Sequence, residues 1–153
     1  MAKSSLINRE MRAALGVESE AMIWEIERGA VEKFANAIGD SNILYTDPSA
    51  ARHTPIGTQI APPTFLRLLK PGVHKATYKQ SLPNILDGGS EYFFKEYIHV
   101  GDTIAVTSTL VEIFEKSGKL GPMLFRVHEI KYVNQFGALA AVQKTTSINY
   151  KAN

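Results

Sequence analysis

The chain has 153 residues, of which 44% are apolar and 21% are charged, and its net charge is +2. This size and composition are typical of one globular domain with a single core, and they argue against a surface that attracts nucleic acid or an anionic membrane. Because the chain contains no cysteine, disulfides, thiolate metal sites and a cysteine nucleophile are excluded.

The first predicted element is a helix from Ser4 to Leu15, because its apolar residues recur near one helical face. One of the two serines at its start, Ser4 or Ser5, is the expected N-cap, and Gly16 is the expected end. We interpret residues 1–16 as a helical extension of one domain that spans residues 1–153.

A strand and a helix are predicted next. Residues 22–27 alternate between apolar and polar side chains, which is typical of a strand. Apolar residues at helical spacing from Ala30 to Ile38 predict a helix that Gly39 closes. Residues 46–61 read as irregular, with a possible short helix at Pro48 to Arg52.

A second helix is predicted from about Pro63 to Lys70. Proline suits the first turn of a helix, where its missing N–H would be unpaired in any case, and Pro71-Gly72 is a stop signal. The apolar residues cover a wide face for so short a helix, so we expect it to be buried. They are Phe65, Leu66, Leu68 and Leu69.

The second half of the chain is rich in β-branched and aromatic residues, which predict strands. Glycine-containing turns separate the segments, and Gly88-Gly89 is interpreted as a further turn between strands. Helices therefore come first and an antiparallel meander comes last, which indicates an α+β fold with five or six strands packed on one buried helix. The four strand-like segments are Glu91 to Ile98, Thr103 to Glu115, Leu120 to Asn134 and Ala138 to Tyr150.

We expect a soluble, cytoplasmic protein. No apolar run approaches the roughly 20 residues of a membrane helix, and the charged N-terminus lacks the apolar stretch of a signal peptide.

The histidines show no metal-ligand spacing, so no metal site is expected. There is also no glycine-rich phosphate loop and no GxSxG elbow, and we expect no cofactor. His99 and His128 fall in predicted strands and are interpreted as packed or surface residues. His53 lies in an irregular segment between two helices, where functional residues concentrate, and is a candidate for substrate binding.

One segment carries a more specific pattern, from Phe34 to Ala51, followed by Ala61-Pro62-Pro63-Thr64-Phe65. It resembles the hot-dog hydratases of the MaoC-like (R)-specific enoyl-CoA hydratase and 3-hydroxyacyl dehydratase family, whose pattern is F-A-x-x-x-x-D-x-N-P-(I/L)-H-x-D-x-x-x-A. Residues 91–104 resemble the family's strand pair, and residues 134–141 resemble its last hairpin. The matching positions in the first segment are Phe34, Ala35, Asp40, Asn42, Leu44, Asp47 and Ala51.

The resemblance implies a hot-dog fold, an acyl-thioester substrate and a dimer with the site at its interface. It implies a catalytic role for Asp40 and Asn42. Tyr45 stands where the family has its proton-transferring histidine, and Pro63 stands where the family has a glycine whose N–H binds the thioester carbonyl. The substrate-binding residues expected from the resemblance and from the position of His53 are His53, Ala61, Pro62, Pro63, Thr64 and Phe65.

Three functions remain open at this point. The string from Ala61 to Phe65 is similar to that of a family subgroup, the N-terminal or non-catalytic type, which shapes the acyl tunnel beside a catalytic hot-dog subunit. The chain would then bind an acyl-CoA or acyl-carrier thioester in a homodimer or heterodimer. Alternatively, it is a self-sufficient hydratase that uses Asp40 with Asn42, Tyr45 or His53. The third reading is a hot-dog binding protein or thioesterase, because a fold does not determine function.

Overall fold

The computed structural model describes residues 5–119 and 121–151. All five strands form one antiparallel sheet in the order β1-β3-β4-β5-β2, which confirms the predicted α+β class. The elements in chain order are α1 (Arg9–Ala13), β1 (Met22–Glu25), α2 (Arg28–Ala37), α3 (Ile43–Thr46), α4 (Pro48–Arg52), a central 3₁₀ helix (Pro63–Leu68), β2 (Asn84–Phe94), β3 (Thr103–Gly118), β4 (Gly121–Asn134) and β5 (Leu139–Tyr150).

The sheet turns one face toward the core. On β3, Ile104, Val106, Ser108 and Leu110 are almost completely buried, whereas the residues that alternate with them are half-buried. This alternation follows from the two-residue period of a strand. On β4, Tyr132 pairs with Val106 and is also buried, and its hydroxyl donates to Gln143 Oε1 at 2.7 Å.

The central 3₁₀ helix packs onto this face of the sheet. Phe65, Leu66 and Leu69 are buried, and the Phe65 ring meets Phe34 of α2 edge-on, with 5.5 Å between ring centroids. The carbonyl of Leu66 lies 3.3 Å from the Tyr132 hydroxyl. The result is the hot-dog arrangement, in which a curved sheet covers a buried helix.

The central helix differs from its prediction in form and length. An α-helix was expected to Lys70, but the 3₁₀ helix ends at Leu68, and Leu68 is 49% exposed rather than buried. The backbone is already extended at Leu69, with φ −83° and ψ 95°, and Pro71 disfavours helical geometry in Lys70, the residue before it. In addition, Gly72 packs closely against the backbone of Glu20. A Cβ added to Gly72 would lie 2.3 Å from the Glu20 carbonyl oxygen.

The prediction of Gly88-Gly89 as a turn is wrong. Both glycines lie inside β2, where the pairing with β5 shifts register between Asp87 and Ser90. A Cβ at Gly88 would press on Thr146, and Gly89 has a φ of 104°, so two glycines permit this bulge. The strand expected over residues 91–98 therefore begins at Asn84 and ends at Phe94.

The N-terminal helix is also shorter than predicted, with Asn8 as its cap. The Asn8 side chain accepts a hydrogen bond from the Met11 amide. Ser5 instead donates to the Glu115 carboxylate at 2.6 Å, and Ser4 lies outside the described residues. The helix therefore begins at Arg9, directly after its Asn8 cap, and not at the serines.

The remaining predictions differ in smaller ways. The first strand ends at Glu25, α3 was not predicted, and β3 continues to Gly118, past the turn expected at Ser117-Gly118. His99 forms an isolated bridge with Ile60 rather than lying in a strand. Leu120, the expected first residue of the fourth strand, lies outside the described residues. The short helix at Pro48–Arg52 is confirmed.

Within the described residues, none of the helices combines the length and the apolar character that a membrane-spanning helix requires.

Candidate functional site

A cavity of about 480 Å³ lies between the central helix and the segment that follows β2. Two backbone bonds hold its walls together: the Ala61 amide donates to the Ile98 carbonyl at 2.8 Å, and the Val100 amide donates to the Gln59 carbonyl at 3.0 Å. Most of the wall is apolar. The lining residues are Tyr45, Ile60, Ala61, Pro62, Pro63, Leu66, Phe94, Lys95, Glu96, Tyr97 and Ile98.

Tyr45 is brought to the cavity by α3, and Gln59 fixes this helix in place. The Gln59 side chain is buried, and its Nε2 donates to the Tyr45 carbonyl at 2.7 Å and to Glu32 Oε1 at 3.2 Å. The Ile60 amide donates to the Leu44 carbonyl at 3.0 Å. The tyrosine is thus tied to the segment that opens the central helix.

The Tyr45 hydroxyl is neutral at physiological pH. Its pKa is raised above the ordinary value, mainly by burial and then by the nearby Asp40 carboxylate and Tyr97. Burial and a neighbouring negative charge both disfavour the phenolate. Tyr45 can therefore donate a hydrogen bond to a ligand in the cavity, but it does not act as a base at neutral pH.

Asp40 and Asn42 organise the backbone before α3. One oxygen of Asp40 accepts from the Asn42 amide at 3.0 Å, and the Asn42 side chain accepts from the Leu44 amide at 3.0 Å, which caps α3. Neither residue lines the cavity. The structure brings Asp40 close enough to Tyr45 to affect its pKa, whereas Asn42 is exposed and serves the helix.

The expected substrate-binding residues divide into two groups. Ala61, Pro62 and Pro63 line the cavity. His53, Thr64 and Phe65 do not: His53 is exposed at the end of α4 with Nδ1 2.8 Å from the Ser49 carbonyl oxygen. Thr64 is exposed and Phe65 lies in the core.

The part of the cavity wall formed by residues 94–98 was not predicted from the sequence. This segment was assigned to a strand, but it leaves the sheet after Phe94, and the Lys95 and Glu96 amides donate to the Ala140 carbonyl instead. Two adjacent charged residues, Lys95 and Glu96, interrupt the strand alternation and were the available signal. Tyr97 is 60% exposed at the cavity, and the Asn134 side chain donates from Nδ2 to Glu96 Oε2 at 3.4 Å.

The polar side chains of the wall are the tyrosines Tyr45 and Tyr97 and one charged residue of each sign, Lys95 and Glu96. Within the parts of the chain that the structure describes, no three His, Asp or Glu side chains come together as a metal site would require. The arrangement can hold an apolar group against Ala61, Pro62 and Leu66, with the Tyr45 hydroxyl as a nearby donor.

Solved structures with the same fold cover almost the whole chain. The MaoC-like dehydratase from Rhodospirillum rubrum has 20% identity and a TM-score of 0.67, with 92% of this chain and 94% of that chain covered. The ChsH1-ChsH2 complex from Mycobacterium tuberculosis has 17% identity and a TM-score of 0.72, with 88% and 89% covered. The HadBC (3R-hydroxyacyl-ACP dehydratase) complex from the same organism has 18% identity and a TM-score of 0.67, with 85% and 96% covered.

Among curated proteins, this chain is similar to a UPF0336 protein of Streptomyces avermitilis. The two are 30% identical over 100 residues, which is 62% of this chain and 67% of the relative. The match thus spans about two thirds of the relative's length.

A family model gives the broadest match. The model of the FAS1-like dehydratase domain region matches residues 13–143, which is well over half of the chain. The matched range contains the cavity and all the strands except the end of β5. The chain therefore belongs to the family of FAS1-like dehydratase domain regions.

Proposed function

We propose that this chain is the non-catalytic, acyl-thioester-binding half of a hydratase or dehydratase pair. The observation that carries the proposal is the composition of the cavity wall at Tyr45 and Pro63. Hydration of an enoyl thioester needs a base for water, an acid for the α-carbon, and donors for the developing enolate oxygen. These two positions supply neither the base nor a backbone donor.

Tyr45 does not replace the histidine that the family resemblance predicts at this position. Its raised pKa keeps it protonated, so it has no capacity to take a proton from water. Pro63 has no N–H, so it does not donate to a thioester carbonyl. Asp40 is the remaining carboxylate of the predicted site, and one of its oxygens already accepts from the Asn42 amide.

The cavity fits an acyl group. Its volume of about 480 Å³ lies in the range of small-molecule sites, which are largely apolar with a few placed polar groups. Ala61, Pro62 and Leu66 provide the apolar wall, and Lys95 adds a positive charge beside it. We infer an acyl-CoA or acyl-carrier thioester as the ligand, with the acyl chain against the central helix.

A catalytic hot-dog subunit is the proposed partner, docked along β2. This strand lies at the edge of the sheet and is 11 residues long. It exposes Ile85, Leu86, Phe93 and Phe94, each by more than 40%, and a long apolar edge invites pairing with another chain. The cavity wall from Phe94 to Tyr97 continues directly from this strand, so a partner here would face the cavity. The two-chain complexes among the structural neighbours support this proposal.

A self-sufficient hydratase is the second candidate, because Asp40 lies near Tyr45. In that reading, the carboxylate takes the proton from water and the tyrosine hydroxyl donates to the substrate. The absence of a backbone donor at Pro63 counts against it. The cytoplasmic location expected from the sequence stays a prediction.

Calorimetric titration of the purified chain with butyryl-CoA tests the binding half of the proposal. Butyryl-CoA is saturated, so hydration does not interfere. We expect it to bind more tightly than CoA alone, and we expect Tyr97→Ala to weaken the binding because the ring forms part of the wall. Val73→Ala, which removes a 72% exposed side chain outside the cavity, is the matched control. Equal affinity for butyryl-CoA and CoA would contradict an acyl-binding cavity.

A further inference from the structure

A second cavity lies under the opposite end of the sheet face and has a different chemistry. On β4, the side chains that alternate into the core are Leu124, Ile130 and Tyr132, all buried. Arg126 and His128 occupy the positions between them with the same parity, so they lie on the same face. A strand facing a core is expected to place apolar residues there, so two basic residues at these positions call for an explanation.

These residues line a cavity of about 350 Å³. Its wall mixes small apolar side chains with hydroxyl, imidazole and guanidinium groups, and it contains no carboxylate. None of its residues lines the cavity beside Tyr45. The lining residues are Ala14, Val17, His74, Ala76, Thr77, Tyr78, Leu110, Arg126 and His128.

Arg126 has no anionic partner within the described chain, and its guanidinium lies over the Tyr78 ring with 5.9 Å between Cζ and the ring centroid. Its Nη1 donates to the Tyr78 hydroxyl at 3.0 Å, which is a neutral acceptor. Its Nε is buried without a hydrogen-bond partner, and it forms no salt bridge with any carboxylate of residues 5–119 or 121–151. A half-buried cation without an anionic partner is costly, because desolvation is not offset by pairing.

His128, beside Arg126 in the cavity wall, does not add a second positive charge at physiological pH. The pKa of His128 is lowered to about 4, by burial first and then by the charges of Arg126 and His74. His128 is therefore a neutral imidazole at physiological pH. The His74 ring lies 5.5 Å from the His128 ring, on the exposed side of the cavity.

The cover of the cavity is an irregular segment that the fold holds in place. At its start, Gly72 packs closely against the Glu20 backbone, and the Glu20 amide donates to the Val73 carbonyl at 3.0 Å. Farther along, the Asn8 side chain donates to the Lys79 carbonyl at 3.2 Å. The segment that carries His74, Thr77 and Tyr78 is thus anchored at both ends.

We propose that this cavity is a second binding site, for a small organic carboxylate, with Arg126 as its counter-ion. A carboxylate fits better than a phosphate because Arg126 is the one permanent charge in the wall, while Ala14, Val17 and Leu110 provide apolar surface for a short hydrocarbon body. The carboxylate belongs either to a free acid or to the far end of an acyl chain that bears one. The proposal does not depend on the thioester function of the first cavity.

Titration of the full chain with butyrate and butyramide tests the site, because these probes share a shape and differ in charge. Butyrate is expected to bind at least about tenfold more tightly, since hydrogen bonds to charged groups are stronger than neutral ones. Arg126→Gln should abolish this difference, whereas Lys116→Gln, an exposed cation on β3, should retain it. Equal binding of the two probes, tighter binding of inorganic phosphate than of butyrate, or an unchanged preference in Arg126→Gln would overturn the proposal.

Two further measurements complete the test. The first locates the site with a variant other than Arg126→Gln, and the second separates the two sources of the carboxylate. Ala76→Leu fills the cavity without touching the charge and should also abolish butyrate binding; retained binding would overturn the proposed location. Glutaryl-CoA binding more tightly than butyryl-CoA, with the gain lost in Arg126→Gln, would identify an acyl chain with a terminal carboxylate. Butyrate binding without that gain would identify a free acid.

Discussion

Two side chains support the proposal that the first cavity binds a ligand without turning it over. Gln59 holds the backbone carbonyl of Tyr45, which fixes the backbone at the position where the resemblance predicts a histidine. A histidine there would titrate near neutral pH, whereas burial and Asp40 move the tyrosine pKa farther from it. Pro63 removes a backbone donor at the start of the central helix. Both differences are chemical rather than geometric, because both residues do line the cavity.

His128 should make stability depend on pH. Its pKa is about 4 in the folded chain, below the ordinary value of 6.5, so between pH 6.5 and 4 the unfolded state binds the extra proton. The free energy of unfolding therefore decreases as the pH is lowered from 6.5 to 4, by up to about 3 kcal/mol. Urea denaturation of wild type and His128→Gln at pH 7 and pH 4 measures this difference. His74→Gln is the exposed control, and an identical pH dependence in wild type and His128→Gln would contradict the burial argument.

Among the elements, the meander was predictable and the central helix only partly so. Alternation at Ile104, Val106 and Leu110 is a local property of the chain, and it identified β3 and its partners. Beyond the end of the central helix at Leu68, Gly72 lies against the backbone of Glu20, a contact between residues distant in the sequence that no local pattern indicates. The site shows the same contrast between local and distant signals. Tyr45 and Pro63 were found by their place in a sequence pattern. Residues 94–98 instead reach the cavity because the chain leaves the sheet after Phe94, where the Lys95 and Glu96 amides donate to the Ala140 carbonyl of the distant strand β5.

The two faces of the central helix should differ sharply in their contribution to stability. Leu66 is 1% exposed against the sheet, and Leu68 is 49% exposed. Leu66→Ala is expected to lower the free energy of unfolding by about 2–5 kcal/mol through lost contacts and a cavity. Leu68→Ala is expected to change it by less than about 0.5 kcal/mol. Chemical denaturation of both variants checks this, and similar losses would mean that the helix packs with a different face.

At the scale of the whole molecule, the sheet has one edge of 11 residues and one of four, β2 and β1. The longer edge carries the exposed apolar residues and leads into the cavity wall. Pairing along β2 would cover that edge and enclose the site in the same step. The proposed dimer, with this chain or with a catalytic homologue, therefore explains two features of the surface together.

Charge on the β2 edge should disrupt this assembly. We expect the purified chain to scatter light as a dimer at micromolar concentration, and Leu86→Lys with Phe93→Lys to shift it to a monomer, because lysines on an edge strand oppose pairing. Phe136→Lys alters an 83% exposed side chain in the turn between β4 and β5 and is the control. If wild type is monomeric alone, co-expression with a catalytic hot-dog chain should yield a complex that the β2 variant fails to form. A dimer that survives both lysines would contradict the proposed interface.

Hydration of crotonyl-CoA by the pure chain tests the central claim most directly. We predict a rate about 10²–10⁴-fold below that of a hydratase that retains the histidine, because this is the usual contribution of a positioned proton-transfer group. Tyr45→His should raise the rate, and Tyr45→His with Pro63→Gly should raise it further by supplying the missing donor. Wild-type turnover as fast as that of the histidine-containing hydratase, unchanged in Asp40→Ala, would contradict both the non-catalytic role and the site.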